Sequence, residues 1–201
     1  VSPPCYRDSR PPAVLSPEEL QTLLAAVDRD RPGGRLCYAI LLLLTTYGLR
    51  PVDVAALTLD DLHWRAGRLA LVQQKTGVAL TLPLLPEVVA ALYAYLRQER
   101  APLVAGVATP SRRLFLARRW PHRPLSARGI SDVVRPAFVA AGLPHALPRQ
   151  LRASCATALL RQGVELSTIQ AVLGHRTPDR TQRYAVTDLV LLRQVLEESE
   201  R

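Results

Sequence analysis

At 201 residues, 48% hydrophobic and 21% charged, the chain has the length and composition of one domain with its own core, which excludes a disordered or low-complexity polypeptide. A formal net charge of +9 with a pI near 10.3 points to a polyanionic partner, nucleic acid before membrane. The longest apolar run, Ala39 to Leu44, is too short to span a membrane, and three cysteines, Cys5, Cys37 and Cys155, give neither a disulfide framework nor a metal spacing.

Residues 1–15 read as an interdomain linker, because Pro3, Pro4, Pro11 and Pro12 block regular structure. This stretch lacks the apolar run of a secretory signal, so a cytoplasmic location is expected. The chain contains no methionine, and Val1 is therefore not expected to be a native start. One domain is expected over residues 16–201. It opens with an N-cap serine, a proline at the first helical position and a capping-box glutamate in Ser16-Pro17-Glu18-Glu19, ahead of Leu20, Leu23, Leu24 and Val27 at helical spacing.

A second helix, Leu36 to Tyr47, is apolar nearly all round and is predicted to lie at the centre of the domain, with Gly48 as its stop. Val52 to Leu57 reads as a short helix. Arg68 to Val72 and Ala79 to Leu82 flank a Lys75-Thr76-Gly77 turn and predict a β-hairpin. A helix follows over Pro86 to Arg100. Ala101 to Pro124, rich in Pro, Gly and Arg, reads as a surface connection. Further helices are predicted over Ser126 to Ala141, Arg149 to Gln162, Leu166 to Leu173, near Arg180 to Tyr184, and over Asp188 to Glu198. The expected class is mainly α with a small antiparallel β-hairpin or sheet, an α+β domain.

Of the 26 residues that are Lys or Arg, 25 are arginine and the exception is Lys75. Arginine stays protonated at biological pH, whereas a lysine ammonium can be tuned to release a proton. One lysine in an arginine-biased chain also fits chance. Arg50, Lys75, Arg152 and His175 all stand near the ends of predicted elements, and Tyr184 follows closely. Such a set suits phosphoryl transfer. Arginines grip non-bridging oxygens, a histidine donates to developing charge, a lysine protonates a leaving oxygen, and a tyrosine attacks. No metal cluster or cofactor is called for, and no phosphate-binding glycine loop is present.

Five segments, in order, resemble the tyrosine recombinases, or phage-type integrases. Thr45 to Leu57 is similar to the first arginine box, with Arg50 as its arginine and Asp53 as the supporting acid. Lys75 falls on the hairpin lysine. Leu151 to Thr157 is similar to the second box, with Arg152, while Ile169 to His175 and Thr181 to Tyr184 are similar to the third box and the nucleophile segment. The likeness covers nearly all of residues 13–190. One position departs from the pattern: Arg149 stands where a histidine is usual, one turn before Arg152. Arginine is no base, yet it can bind phosphate. His145 lies between Pro144 and Pro148, outside that helix, and Ala153 replaces a residue that is often polar.

The resemblance implies a catalytic domain that cleaves and rejoins duplex DNA without metal or cofactor, through a 3′-phosphotyrosine on Tyr184. Arg50 and Arg152 hold the phosphate, Arg149 assists, His175 donates a hydrogen bond and Lys75 protonates the leaving 5′ oxygen. It also implies DNA integration or other site-specific recombination in a prokaryotic, nucleoid-associated setting. An N-terminal DNA-clamping domain is expected beyond residues 1–15, absent from this chain. A homotetramer on DNA would use the apolar face of Asp188 to Glu198, with a monomer in isolation. Arg112, Arg113, Arg118 and Arg119 are candidates for DNA-backbone contacts.

The same residues have bland readings. Arg50 and His175 fit helix-end charges, Arg149 a solvated side chain, Tyr184 a packed aromatic. Tyr6, Tyr38, Tyr47, Tyr93 and Tyr95 are expected to be packed, and Trp64 and Trp120 to be packing or rim residues. Two other functions remain open. One is a catalytically impaired DNA-binding relative whose residues 164–184 act as a helix-turn-helix reader. The other is a relaxing enzyme of the type IB topoisomerase kind.

Overall fold

A computed structural model describes residues 14–108 and 110–173. The predicted helices near Arg180 and over Asp188 to Glu198, together with His175, Tyr184, Cys5 and Tyr6, lie outside the described residues. In chain order the helices are α1 (Pro17–Ala25), α2 (Gly34–Thr46) and α3 (Pro51–Ala56), then α4 (Pro86–Tyr95), α5 (Ala101–Val104), α6 (Ala127–Ala140), α7 (Pro148–Arg161) and α8 (Leu166–Leu173). Between α3 and α4 come strands β1 (Leu62–His63), β2 (Arg68–Val72) and β3 (Ala79–Pro83). No helix among the described residues is long and apolar enough to cross a membrane.

Helix α1 starts as its sequence dictates: Ser16 Oγ accepts from the Glu19 amide at 3.2 Å, and the Glu19 carboxylate accepts from the Ser16 amide at 2.7 Å. Leu15, the last residue of the expected linker, packs against the domain. It is buried, and its amide donates to Ser154 Oγ of α7 at 2.8 Å. Helix α2 is the central post, buried from Ala39 through Leu44, and it packs against α1, α4, α6 and α7. Each of its leucines withdraws enough apolar surface to contribute about 1.5–3 kcal/mol.

The start of α2 carries two glycines and no capping side chain of its own. The cap comes from elsewhere: Glu99 accepts from the amides of Gly33, Arg35 and Leu36, each at 3.1 Å. A carboxylate on free helix amides offsets the macrodipole and contributes about 1 kcal/mol. A π-turn over Leu96–Arg100 continues α4 and turns Glu99 toward α2. Buried Arg100 faces another way, donating through Nε to the Leu114 carbonyl at 3.1 Å and through an Nη to Arg113 O at 3.0 Å. This corrects the reading of residues 101–124 as a surface connection. Its first residues form α5, and Leu114, Phe115 and Leu116 are buried in the core. A short apolar triplet pinned by a buried arginine makes that loop a structural member.

The sheet has order β1-β2-β3 and is antiparallel throughout, with Leu62 opposite Leu69, Leu69 opposite Leu82 and Leu71 opposite Leu80. The predicted hairpin therefore carries a third, two-residue strand that its sequence did not announce. Period-two alternation turns Leu69, Leu71, Leu80 and Leu82 to the core. Tyr47 and Tyr95 are buried as expected, while Tyr93, 57% exposed, is not packed. Trp64 is 42% exposed and Trp120 80% exposed, so both are rim residues. Cys37 and Cys155 are buried free thiols.

Candidate active site

Three elements converge where α2 ends. Gly48 stops the helix with φ near 59°, a conformation that disfavours any side chain. It also lies so close to α7 and α8 that an added Cβ would stand 2.8 Å from Leu173 Cδ2 and 3.3 Å from Cys155. A glycine here does two things at once. It turns the chain into Arg50, and it brings its own carbonyl within reach of α7.

Arg152 uses that approach. Its guanidinium donates to the Gly48 carbonyl at 2.8 Å and to the Leu173 carbonyl at the end of α8. Burial pushes Arg152 well below the ordinary arginine value, to about 10; the neighbouring Arg50 charge pushes the same way, while Asp53 and Cys155 oppose. Two guanidiniums held close in a partly dry place favour the arrival of an anion. Arg50 itself caps the start of α3, donates from Nη1 to Gln73 Oε1 at 3.0 Å, and lies 3.7 Å from Asp53 Oδ2.

Asp53 is fully buried one turn into α3. Its Oδ1 accepts from the Gln74 amide at 2.8 Å, which ties α3 to the hairpin, and its Oδ2 has no hydrogen-bond donor. The ion pair with Arg50 is thus coulombic, longer than a hydrogen bond, and it leaves the guanidinium with free N–H groups. The hairpin side of the cluster is Gln73, which is 1% exposed. Its Oε1 accepts from Arg50 and, at 3.0 Å, from Thr76 Oγ1; its Nε2 donates to the Leu173 carbonyl at 3.0 Å.

The structure therefore brings Arg50, Asp53 and Arg152 together around Gln73 and the last carbonyl of α8. Lys75 and Arg149 stand apart from that cluster in character. Lys75 sits in the turn after β2, exposed, and Arg149 sits exposed in the first turn of α7; neither has a hydrogen-bond or ion-pair partner among the described residues. His175 begins two residues past Leu173, outside the described residues, as does Tyr184. Among the described residues no group of three or more His, Cys, Asp or Glu is placed to hold a metal ion. Of the four arginines proposed for DNA-backbone contact, three already have protein acceptors: Arg112 pairs with Asp60, Arg113 donates to Ala56 O, and Arg118 donates to Pro32 O at 2.6 Å. Gln73 is the member of the cluster that motif reading passes over.

A small sheet thus packs on a helical core, and two arginines from separate helices converge beside the hairpin. The model of the phage integrase family matches residues 13–188, and the chain belongs to that family, the tyrosine recombinases. It is 36% identical over 185 residues to the "Putative integrase/recombinase y4rA" of Sinorhizobium fredii, covering 90% of this chain and 43% of that protein. It is 30% identical over 188 residues to the tyrosine recombinase XerC of Bacillus subtilis, covering 93% of this chain and 61% of that one. Among solved structures, a post-cleavage complex of the XerH site-specific recombinase on palindromic difH substrate superposes with a TM-score of 0.69 at 20% identity, covering 96% of this chain and 54% of that chain. That likeness establishes a shared fold. The chain spans less than two thirds of each of these three proteins.

Proposed function

We propose that this chain is the catalytic domain of a site-specific DNA recombinase or integrase, acting on duplex DNA through a covalent 3′-phosphotyrosine. The observation that carries this reading is the convergence of Arg50 and Arg152 on one spot, with part of each guanidinium still free to donate. Their mutual repulsion is relieved by a phosphodiester, whose two non-bridging oxygens match their donor forks. Tyr184 Oη attacks phosphorus in line and gives its proton to the medium, since no arginine accepts one. The bond from phosphorus to the 5′ oxygen breaks, and Lys75 transfers a proton to that oxygen. Arg50, Arg152 and His175 stabilise the charge on the pentavalent transition state, with Arg149 assisting from the rim. Rejoining to the 5′ hydroxyl of another strand reverses these steps, and exchange is completed in a DNA-bound assembly of several protomers.

The test is adduct formation on a pool of nicked duplexes with a randomised core, from which the cleaved 5′ fragment diffuses away. Covalent protein–DNA product, lost in Tyr184→Phe, is the expected result. Sequence-specific binding with no adduct would show a binding protein instead, and adduct without strand transfer to a second duplex would show a relaxing enzyme.

A further inference from the structure

Gln73 is a buried amide with all its principal groups engaged, and its partners belong to every part of the cluster. An amide oxygen has two lone pairs, and here one faces Arg50 Nη1 and the other Thr76 Oγ1, each at 3.0 Å. The nitrogen faces the Leu173 carbonyl at 3.0 Å. The amide has only one workable orientation. Rotating it by half a turn would set its NH₂ against a guanidinium that has only donors and its oxygen against a carbonyl that has only lone pairs. The backbone is fixed as well, since the Gln73 amide donates to Val78 O at 2.9 Å and its carbonyl accepts from the Gly77 amide at 2.8 Å.

The three side-chain partners lead to three separate groups. Arg50 is itself a candidate phosphate ligand. Thr76 follows Lys75 in the turn. Leu173 O stands at the last described residue of α8 and is shared with Arg152; the chain runs on from it to Gly174 and His175. We infer that Gln73 is a positioning residue for strand cleavage, holding the Arg50 guanidinium, the turn that carries Lys75 and the end of α8 in one frame. The inference rests on the recombinase reading. A displacement of about 1 Å at groups that act on one phosphate lowers a rate by about 10- to 100-fold, so loss of the frame costs turnover more than affinity.

The experiment uses this chain, single-turnover adduct formation at saturating DNA, and a duplex recovered from the randomised nicked pool. Gln73→Met keeps the side chain's length and removes all three hydrogen bonds. The expected result is a cleavage rate about 10- to 100-fold below wild type with DNA affinity within about threefold. Gln73→Glu serves as the second variant. Its protonated form reproduces the glutamine pattern, with C=O toward Arg50 and O–H toward Leu173 O, whereas its carboxylate faces that carbonyl with no donor. Beside the Arg50 and Arg152 guanidiniums that carboxylate is held ionised from about pH 5 to about pH 8, so the rate should stay well below wild type throughout. A wild-type rate in Gln73→Met, a loss of affinity equal to the loss of rate, or a wild-type rate in Gln73→Glu overturns the inference and leaves the recombinase reading standing. No adduct with wild type overturns both.

Discussion

Arg149 and Arg152 lie one turn apart on α7, and the structure treats them as members of two different regions. Arg152 belongs to a floor in which Gly48 O, Leu173 O, Gln73, Asp53 and Arg50 are joined by short hydrogen bonds and burial. Arg149 belongs to a rim, with Lys75, of exposed cations that no described residue holds. The contrast separates two ways of building a site. Floor groups are oriented by the protein before substrate arrives, so their removal disturbs a network. Rim groups have no protein partner to fix their geometry, so on the proposed function their removal touches chemistry or binding and leaves the fold alone.

The floor predicts the largest effects. Arg152→Ala should lower adduct formation by at least about 10²- to 10³-fold, the usual consequence of losing a transition-state donor. It also leaves the Gly48 carbonyl without its donor, so the unfolding temperature should fall too. A variant with unchanged melting and a small rate loss would move Arg152 to the rim. Lys75→Arg sets the opposite case. Charge and exposure persist but the ammonium is replaced by a guanidinium, a far poorer general acid, so cleavage should drop by about 10²-fold or more with DNA affinity and melting unchanged. Retained cleavage would return this lone lysine to compositional chance.

Gly48→Ala asks whether the floor is a matter of backbone. A residue forced to φ near 59° costs about 1–2 kcal/mol, and the 2.8 Å approach to Leu173 adds overpacking of about 1–3 kcal/mol. Chemical denaturation should show a loss of that order, and a neutral substitution would mean that α8 shifts freely against α2.

Alkaline titration reaches the floor through its buried acids. Burial pushes the Cys37 and Cys155 thiols from 9.0 to about 12 and the Tyr47 and Tyr95 hydroxyls from 10.0 to about 12. Their neutral forms are favoured in the fold, so the stability they contribute is whole below pH 9 and is lost as pH rises toward 12. Arg152 works in the other sense: its burial cost is present below about 10 and is relieved as pH rises above that value. Four groups outweigh one, and the melting temperature should fall steadily above about pH 9. A level profile to pH 11 would mean that these side chains open to solvent without unfolding.

How much of this is legible in the sequence follows the same division. Arg50, Arg152 and Lys75 stand in recognisable boxes, and the capping box of α1 and the buried run of α2 are written in their residues. Gln73 is silent to motif reading, although alternation along β2 places it on the face of Leu69 and Leu71, and a polar residue on an apolar face announces a buried partner. Glu99 and Arg100 are harder, because the π-turn that aims them shifts the helical register that a regular period would assign. Leu114-Phe115-Leu116 hides in a stretch whose prolines and arginines suggest solvent, and only its contact with Arg100 makes it core.

The smallest effect expected is the most discriminating for the rim. Arg149 stands where the family resemblance implies a histidine, and it is exposed, without a protein partner among the described residues. If its task is to add positive charge near the phosphate, histidine can supply a hydrogen bond in its place and can also accept the tyrosine proton, which arginine cannot. Arg149→His should therefore cleave at the same rate or somewhat faster, with melting unchanged, since nothing in the floor leans on the guanidinium. A gain that grows as pH rises through the histidine range would identify the new side chain as a base. A large loss would show instead that DNA binding orders Arg149 into a role of its own, and the line between floor and rim would then have to be drawn on the complex rather than on the free protein.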